Sequence, residues 1–432
     1  MLGRVKNIFY ELINSTYFKN IFLLTSGVGI SQFIPFLLLP LLTRFFSPTD
    51  FGVLAVFMAT VQLLAISSTF RLEMAVVLPK NHDDAAILCF RAFYTLVTFS
   101  VFFFVLFFTL WKFIKPMDIM GVNVIYQNYL PHFIYLVPIG ALLLGTYNIL
   151  YSWNNRLELY KNMSLSHITH SFFSTPLAIA LSFSPFKLFG LILGQLIGRF
   201  FACVLLFSDL CKTLQLVYNE KSLFERSRLL AEKYRKFIVF ETPHSILNFF
   251  SQKMIIAVFT LFFGFFTVGI FDLADKIIGK PLGIISNSFK TVFYKRLTTA
   301  KDKITIFKKS VLLMTLISIS LTLPFYFIPP SVFDFLLGSE WVETGKYIQL
   351  ICPLLFSKFI FNVVTPTISY TLQNHYLLIW QVIYLVFLII LFYLLQGSGV
   401  DVVLIVYALF GSFMYVLLGF ISFFVLKKFN RK

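Results

Sequence analysis

Long apolar segments separated by clusters of lysine and arginine dominate this chain and constrain what it can fold into. The 432 residues have a mean hydropathy of +0.85, and only 13% of them are charged. A helix that crosses a bilayer needs ~20 mostly apolar residues, and such stretches recur along the whole sequence. Backbone polar groups in lipid must be satisfied within the segment, and residues 101–110 are apolar on every side. The pattern therefore predicts an all-α integral membrane protein.

The hydropathy predicts about twelve transmembrane helices. Their approximate bounds are 18–42, 51–70, 85–111, 130–151, 167–183, 187–208, 237–262, 266–293, 307–329, 346–370, 376–396 and 402–426. Residues 4–18 are interpreted as a short amphipathic helix on the membrane face. Charges interrupt the apolar core that a signal peptide would need, and no small-residue cleavage site follows, so no removed signal is expected.

Basic residues fall mostly on one side of the predicted helices. If the N-terminus is cytoplasmic, the loops on that side carry 24 of the 36 lysines and arginines, the opposite loops carry 4, and 8 lie within the helices. Cytoplasmic loops are enriched in lysine and arginine, so both termini are predicted to be cytoplasmic. The net charge of +17 is then a topology signal, and no nucleic-acid partner is expected.

A stretch rich in charges, 209–236, lies near the middle of the chain, with six predicted helices on each side of it. This arrangement predicts an N-terminal lobe, 1–208, that includes the amphipathic N-terminus and spans 1–6. Residues 209–236 would form a cytoplasmic linker, and 237–432 a C-terminal lobe with spans 7–12.

The symmetry of the two halves suggests an internal repeat. A shift of 217 residues aligns the first span and its outer loop with the seventh span without gaps. The identical pairs are Thr25/Thr242, Phe33/Phe250, Thr43/Thr260, Phe45/Phe262, Phe46/Phe263 and Gly52/Gly269. Because six spans separate the copies, both copies point the same way through the membrane. The halves are therefore predicted to be parallel repeats about an axis along the membrane normal.

Helix breakers occur in both aligned regions. They are Gly27, Gly29, Pro35 and Pro40 in the first span, Pro243 in the seventh and Pro281 in the eighth. Interrupted helices in corresponding positions of two halves indicate a transport site. Simple kinking against neighbouring helices would explain the same prolines, and the sequence leaves both interpretations open.

Two motifs indicate a family. Residues 41–52, LLTRFFSPTDFG, lie at the centre of a segment, 26–79, that resembles the amino-terminal signature of bacterial polysaccharide-export flippases. These are the O-antigen (Wzx-type) proteins of the multidrug/oligosaccharidyl-lipid/polysaccharide (MOP) superfamily. Residues 268–274, VGIFDLA, followed by Lys280, Pro281 and Leu282, resemble the eighth-span pattern of the same family.

The resemblance implies a fold and a function. The fold would be two pseudo-symmetric six-helix lobes, as in MATE transporters, around a V-shaped cavity. The activity would be transfer of an undecaprenyl-diphosphate-linked oligosaccharide, an O-antigen or other surface repeat unit, from the cytoplasmic to the periplasmic leaflet of the inner membrane. The implied partners are this substrate, membrane lipids and other membrane proteins of polysaccharide assembly, and no cofactor is implied.

Eight basic residues lie within the predicted spans: Arg91, Arg199, Lys253, Lys276, Lys280, Lys290, Lys346 and Lys358. Lys290 and Lys346 lie near span ends, where their side chains can reach the headgroups. Arg199, Lys253, Lys280 and Lys358 have no acid at helical spacing, and they are predicted to form a cationic, diphosphate-binding cleft, with Arg91 as a borderline member. The alternative is internal pairing, which Asp272 and Lys276 at i,i+4 illustrate.

Acidic residues within the spans could couple transport to H⁺ or Na⁺. The candidates are Asp272 and Asp275 in the eighth span and Glu241 at the start of the seventh. Ion pairing, or placement at the membrane interface for Glu241, is the structural alternative.

No metal site is predicted. Asp83 and Asp84 could hold Mg²⁺ after His82, but the plainer interpretation is that Asp83 or Asp84 caps the N-terminus of the third span. His167 and His170 have no third ligand in the sequence and are interpreted as solvated first-turn residues. Cys89, Cys203, Cys211 and Cys352 lack metal-type spacing and are expected to be inert packing residues.

Three functional hypotheses remain. A lipid-linked oligosaccharide flippase that works by alternating access fits the interior cations. A MATE-like small-molecule exporter would prefer an acidic or aromatic cleft for cationic drugs. A membrane enzyme of polysaccharide assembly, a polymerase or glycosyltransferase, would need a large outer loop with catalytic residues, whereas the predicted outer loops 112–129 and 330–345 are short. Nucleotide-binding and hydrolase motifs do not occur in the sequence.

Overall fold

The described part of the protein consists of helices joined by short turns. The computed structural model describes residues 16–114, 124–184, 187–207, 210, 213, 223–299, 302–371 and 373–430, and no strand occurs among them. The amphipathic helix predicted for 4–18 lies almost wholly outside these residues. The prediction of an all-α protein is confirmed for the part of the chain that is described.

The helices are numbered here in chain order. They are α1 Thr16–Leu37, α2 Leu39–Phe45, α3 Pro48–Thr69, α4 Leu72–Ala75, α5 His82–Ile114, α6 Val124–Arg156, α7 Tyr160–Ser182, α8 Lys187–Leu206, α9 Leu223–Lys233, α10 Arg235–Phe262, α11 Gly264–Ala274, α12 Lys280–Thr299, α13 Lys303–Thr322, α14 Pro324–Phe327, α15 Pro330–Leu337, α16 Glu343–Val364, α17 Pro366–Tyr370, α18 His375–Leu394 and α19 Val400–Asn430. A π-helical turn, Asp275–Gly279, joins α11 to α12, and a 3₁₀ turn, Ser339–Trp341, precedes α16.

Nine stretches of helix among the described residues are long and apolar enough to cross a membrane, and a bent pair raises the number to ten. The bent pair is α1 with α2, whose axes meet at 41°. Pro35 lies inside α1 and Pro40 inside α2, so two missing N–H groups account for the bend. The chain is therefore a multi-pass membrane protein, and twelve spans stay a prediction.

Two predicted spans do not meet the same criterion within the described helices. The fifth corresponds to α7, which is helical over 23 residues but rich in serine, threonine and histidine. The eighth corresponds to α11, the π-helical turn and α12, which together carry five ionisable residues between 272 and 290. Both segments form helices as predicted, and their polar side chains lower the hydropathy.

The two aligned regions of the predicted repeat break differently. α10 runs unbroken through Pro243, whereas its counterpart divides into α1 and α2. In the predicted eighth span the break is the π-helical turn, which ends two residues before Pro281. A π turn leaves one extra residue in the helix and is common at functional sites.

The described residues group into two compact units. Unit 1 contains the described residues up to Leu38 and Phe57–Ile246, and unit 2 contains Leu39–Val56 and the described residues from Leu247 onward. The division falls within α3 and within α10. The predicted lobes, 1–208 and 237–432 with a linker at 209–236, stay a prediction beside these units.

Unit 1 is built on close helix approaches and a hydrophobic cluster. Glycines bring helices together: a Cβ at Gly194 or Gly198 would overlap backbone carbonyls of α7, and a Cβ at Gly27 would overlap Ser164. Small residues allow this backbone contact in membrane helices. The hydrophobic cluster joins α4, α5, α6, α8 and α9 around fully buried side chains such as Trp153.

Unit 2 centres on α16, which packs against α11, α12, α13 and α19. Gly411 and Gly419 of α19 lie against Leu354 and Phe361 of α16, where a Cβ would overlap those side chains. The indole N–H of Trp380 donates to the Met414 carbonyl at 2.8 Å, which fixes α18 to α19.

Residues 39–56 pack inside unit 2 through buried aromatic side chains. Trp341 is fully buried, and its indole N–H donates to the Thr43 carbonyl at 3.1 Å. Thr43 lies near the end of α2, where carbonyls have no partner within their own helix. The Phe51 ring packs edge-on against Trp341, with ring centroids 5.0 Å apart.

The indole hydrogen bond gives a prediction with a matched control in the same chain. Trp341→Phe should lower the free energy of unfolding by about 1 kcal/mol more than Trp153→Phe. Both tryptophans are fully buried, but the Trp153 Nε1 has no hydrogen-bond partner among the described residues. Thermal unfolding of the purified variants in detergent measures the difference, and equal losses would contradict a stabilising role for the Trp341 bond.

Candidate functional site

The π-helical turn in unit 2 gathers charged side chains at one point of the predicted eighth span. Pro281 has no N–H to donate to a carbonyl of the preceding turn, so the helix is free to widen there. Asp275 and Lys276 lie in the widened turn, and Asp272 lies one turn earlier, at the end of α11. A Cβ at Gly279 would overlap the Asp275 Oδ1, so glycine leaves the room in which that carboxylate sits.

Asp272 and Lys276 form the ion pair predicted from their i,i+4 spacing. The Asp272 carboxylate is buried, and it also interacts electrostatically with Lys280 and Lys253. A buried carboxylate away from water is stable only when cations or hydrogen-bond donors surround it. Three lysines meet this need: Lys276, which forms the ion pair, and Lys253 and Lys280, which lie near it.

A cavity of about 70 Å³ opens beside these residues. Lys253 and Gln252 of α10, Asp272 and Asp275, Lys358 of α16 and Tyr407 of α19 contribute its polar lining. Since roughly 10–15 Å³ of such volume holds one water molecule, the cavity has room for several waters or a small anion. We call this space the lysine-rich cavity.

The charges around the cavity do not cancel. Lys253, Lys276, Lys280 and Lys358 bring four positive charges, and Asp272 and Asp275 bring two negative charges. The difference is a surplus of two positive charges within unit 2. A low-dielectric pocket with this surplus attracts an anion more strongly than the same charges would in water.

The structure therefore brings five predicted site residues together: Lys253, Lys280, Lys358, Asp272 and Asp275. Asp272 and Asp275 therefore lie beside the predicted cationic cleft. Nothing in the sequence indicates this, because no acid lies at helical spacing from Lys253, Lys280 or Lys358. Their roles in substrate binding or ion coupling stay predictions.

Arg199 lies in unit 1, in a different environment. Its guanidinium carbon is 4.5 Å from the centroid of the Tyr147 ring. The Tyr147 hydroxyl is 3.1 Å from the Ser166 Oγ and 3.5 Å from the His167 Nδ1. Among the described residues no carboxylate pairs with Arg199, so its donors are available to an anion.

Arg91 and Glu241 have partners of their own in unit 1. The Arg91 guanidinium carbon is 5.5 Å from the ring centroids of both Tyr94 and Phe224, so Arg91 joins α5 to α9. Glu241 lies 3.8 Å from the His244 Nδ1, and both side chains are about one third exposed. Neither residue lines the lysine-rich cavity.

The two histidines and the acidic pair also have visible environments. His167 packs against the rings of Tyr147 and Tyr151, and both His167 and His170 are partly buried. Because α7 begins at Tyr160, neither lies in its first turn, and the prediction of solvated first-turn histidines is wrong. Asp83 and Asp84 lie in the first turn of α5, but the helix begins at His82, so neither residue is the predicted cap, and Asp84 accepts from Arg226 of α9 at 2.9 Å. No group of three metal-ligating side chains occurs among the residues that the structure describes.

One buried acid was missed by the sequence reasoning. Glu73 of α4 is only 2% exposed, and its Oε1 pairs with Arg71 at 3.3 Å. Arg71 adopts a left-handed backbone conformation with φ 55°, and its Nε donates to the Ser245 Oγ at 2.8 Å. The predicted spans leave Arg71 and Glu73 in a cytoplasmic loop, because a charged pair two residues apart in the sequence gives no sign of burial.

The family is shown by the sequence. A model of the polysaccharide biosynthesis protein family matches residues 41–346. The chain belongs to this family. The match covers both motifs from which the resemblance was inferred, and that inference is confirmed. No curated protein matches the chain.

The fold is shown by solved structures. A multidrug-resistance MATE transporter of the MOP superfamily, in its inward-facing conformation, aligns with a TM-score of 0.71 at 11% identity, over 94% of this chain and 96% of that one. A MATE protein in complex with MaL6 aligns at 0.62 and 12% identity, over 98% and 99%. A MOP-superfamily transporter from Pyrococcus furiosus aligns at 0.58 and 11% identity, over 98% of both chains. Identities this low establish the fold alone, which is that of MOP-superfamily transporters.

The ion pair in unit 2 gives a prediction about stability. Asp272→Asn should destabilise the protein by on the order of 3 kcal/mol, because the surplus of buried lysine charge rises. Asp272→Asn combined with Lys276→Gln should be less destabilised than Asp272→Asn alone. The control is Asp401→Asn, which breaks the half-exposed pair with Lys346 and should cost no more than about 1 kcal/mol. Thermal unfolding in detergent measures these three variants, Lys276→Gln alone and the unchanged protein, and additive effects of Asp272→Asn and Lys276→Gln would contradict the pairing.

Proposed function

We propose that the protein is a flippase that carries a lipid-linked oligosaccharide with a diphosphate headgroup across the bacterial inner membrane by alternating access. The observation that carries this proposal is the surplus of lysine over aspartate around the lysine-rich cavity. Membership of a polysaccharide biosynthesis family and the MOP transporter fold support transport of a glycan precursor rather than its synthesis.

A diphosphate suits this cavity for electrostatic reasons. Its oxygens need cationic donors where no metal neutralises them, and lysine supplies a compact positive charge with three donors. Lys253 and Lys358 face the cavity from α10 and α16, and Lys280 lies at the start of α12. Asp272 and Asp275 keep these ammonium groups in place when no substrate is bound, so the site avoids the full cost of unpaired charge in a membrane protein.

Arg199 supplies a second kind of anion contact in unit 1. An arginine stacked on tyrosine presents its donors in a fixed plane, which matches a phosphate or carboxylate in two parallel hydrogen bonds. The neighbouring Ser166 and Tyr147 hydroxyls and the His167 ring add polar groups of the kind that bind sugar hydroxyls. The oligosaccharide headgroup carries both chemistries.

A small-molecule exporter of the same fold is the second candidate, because two of the three structural relatives above are MATE proteins. The charge of the cavity argues against a cationic drug as the cargo. For the Pyrococcus furiosus transporter, reverse polarity of the binding pocket is described as suggesting a different function. The lysine surplus likewise supports a function different from drug export for this protein, with an anionic cargo.

Orientation follows from the charge distribution and gives a prediction. With both termini cytoplasmic, Ser331→Cys at the start of α15 should react with an impermeant thiol reagent applied to the outer face of the inner membrane. Glu232→Cys in α9 should react only after permeabilisation. Both positions are exposed, so differences in burial do not explain a difference in labelling. Labelling of the Glu232→Cys variant by reagent applied to the outer face would contradict a cytoplasmic location of both termini.

The cation sites give the main functional prediction. Four single variants test the cations: Lys253→Gln, Lys280→Gln, Lys358→Gln and Arg199→Gln. Each should lower the transfer of a labelled lipid-linked oligosaccharide in proteoliposomes by about tenfold. A charge-assisted hydrogen bond is worth about 1.5–3 kcal/mol, and 1.4 kcal/mol is tenfold. Arg↔Lys exchanges should be milder, and Glu should be worst, since it repels the headgroup.

The matched control is Lys290→Gln. Lys290 lies on α12 with Lys280, but its Nζ donates to the Asn362 Oδ1 at 3.3 Å, and it does not line the cavity. Transfer should be unchanged in this variant. Normal transfer after all four cations are neutralised, at equal protein abundance, would contradict the proposed function.

A further inference from the structure

Two glycines related by the internal repeat make a reciprocal backbone contact in unit 2. A Cβ at Gly52 would overlap the Phe265 carbonyl oxygen, and a Cβ at Gly269 would overlap the Pro48 carbonyl oxygen. The shift of 217 residues that relates Gly52 to Gly269 also relates Pro48 to Phe265. The starts of α3 and α11 therefore cross with local two-fold symmetry, at backbone contact that only glycine permits.

The crossing is part of a larger contact, called here the clasp. It consists of residues 39–56 together with Trp341 and Gly269. Trp341 holds the Thr43 carbonyl through its indole N–H, and Phe51 is 3% exposed against the edge of the same indole. The Arg44 guanidinium adds a long hydrogen bond to the Phe335 carbonyl at 3.4 Å.

Lys276 connects the clasp to the lysine-rich cavity. Its ammonium group pairs with Asp272, whose carboxylate lines the cavity. The same ammonium lies 5.2 Å from the centroid of the Phe51 ring. One cation thus bridges a carboxylate of the cavity and an aromatic side chain of the clasp.

We propose that Lys276 is a positioning residue that couples anion binding in the lysine-rich cavity to release of the clasp. The proposal rests on the proposed function, in which a diphosphate enters that cavity. A diphosphate beside Lys253 and Lys358 repels the Asp272 carboxylate and competes with it for Lys276. Charge-assisted bonds to phosphate are stronger than a cation–π contact, so the ammonium moves toward the anion and leaves the Phe51 ring.

Loss of the ammonium weakens the contact at Phe51 and makes residues 39–56 easier to detach. The segment then keeps its two hydrogen bonds with Trp341 and Phe335, the edge contact of Phe51 with Trp341, and the backbone crossing at the glycines. None of these contacts involves a residue that lines the cavity. Cavity occupancy and detachment of residues 39–56 become linked, which is what an alternating-access transporter needs to move only when loaded.

A cysteine reporter inside the clasp tests the coupling. The Thr43 side chain is 6% exposed and bonds only within its own helix, to the Pro40 carbonyl at 3.1 Å, so Thr43→Cys is a small change. The rate at which a small maleimide modifies this cysteine in detergent-solubilised protein reports detachment of the segment. A protein without the reporter measures labelling of the native cysteines. The probe is inorganic pyrophosphate, and calorimetry measures its binding in parallel.

Pyrophosphate should raise the labelling rate several-fold in the reporter protein and in its Lys276→Arg variant, which keeps the charge. The rise should disappear in Lys276→Gln. It should also disappear in Phe51→Leu, which removes the aromatic face while leaving the Lys276–Asp272 pair intact and so guards against misfolding of Lys276→Gln. Lys346→Gln, in the exposed pair with Asp401, is the control and should respond as the reporter protein does.

Each result separates the coupling from the proposed function. If pyrophosphate binds and labelling does not change, or rises equally in Phe51→Leu, the coupling is wrong and the anion site stands. If pyrophosphate does not bind at all, the proposed function fails and the coupling fails with it. A pyrophosphate response in the reporter that requires both Lys276 and Phe51 is not expected from a purely structural ion pair.

Discussion

Compensation of charge in a mostly apolar chain is the constraint on which this structure depends. Asp272 is buried within a helix of the predicted eighth span, where an unpaired carboxylate would cost several kcal/mol. Three lysines from α10, the π-helical turn and α12 surround it. Lys276 lies in the widened turn before Pro281 and Lys280 directly follows it, while Gly279 leaves room for the Asp275 carboxylate, so backbone irregularity and electrostatics are parts of one solution.

Much of the fold could be predicted because membrane helices must satisfy their own backbone hydrogen bonds. The predicted spans are helical over most of their described residues, including the fifth (α7) and the eighth (α11 to α12), in which polar side chains lower the hydropathy. The grouping of residues 39–56 with unit 2 could not be predicted, because it depends on Trp341, almost 300 residues away in the sequence. Packing between distant helices leaves no periodicity to read.

The site was predictable in part for the same reason. Charge within an apolar span is visible in any sequence, so Lys253, Lys280 and Lys358 could be named, and i,i+4 spacing identified the Asp272–Lys276 pair. The sequence could not show that Lys276 also contacts Phe51, and pairing had made it look merely structural. Nor could it show that Glu73 is buried, because its partner Arg71 turns inward through a left-handed backbone conformation.

The two copies of the predicted repeat share a contact but not a charge pattern. Backbone meets backbone at Gly52 and Gly269, and both copies keep glycine there. Further along the same helices, the positions that correspond to Asp272 and Lys276 are Ala55 and Ala59 in α3, which continues as a regular α-helix. The first copy needs no compensation and no π turn. Of two segments joined by a nearly symmetric glycine contact, only one therefore carries charge, and in the proposed coupling Lys276 and Phe51 carry the effect of a bound anion from that segment to the other.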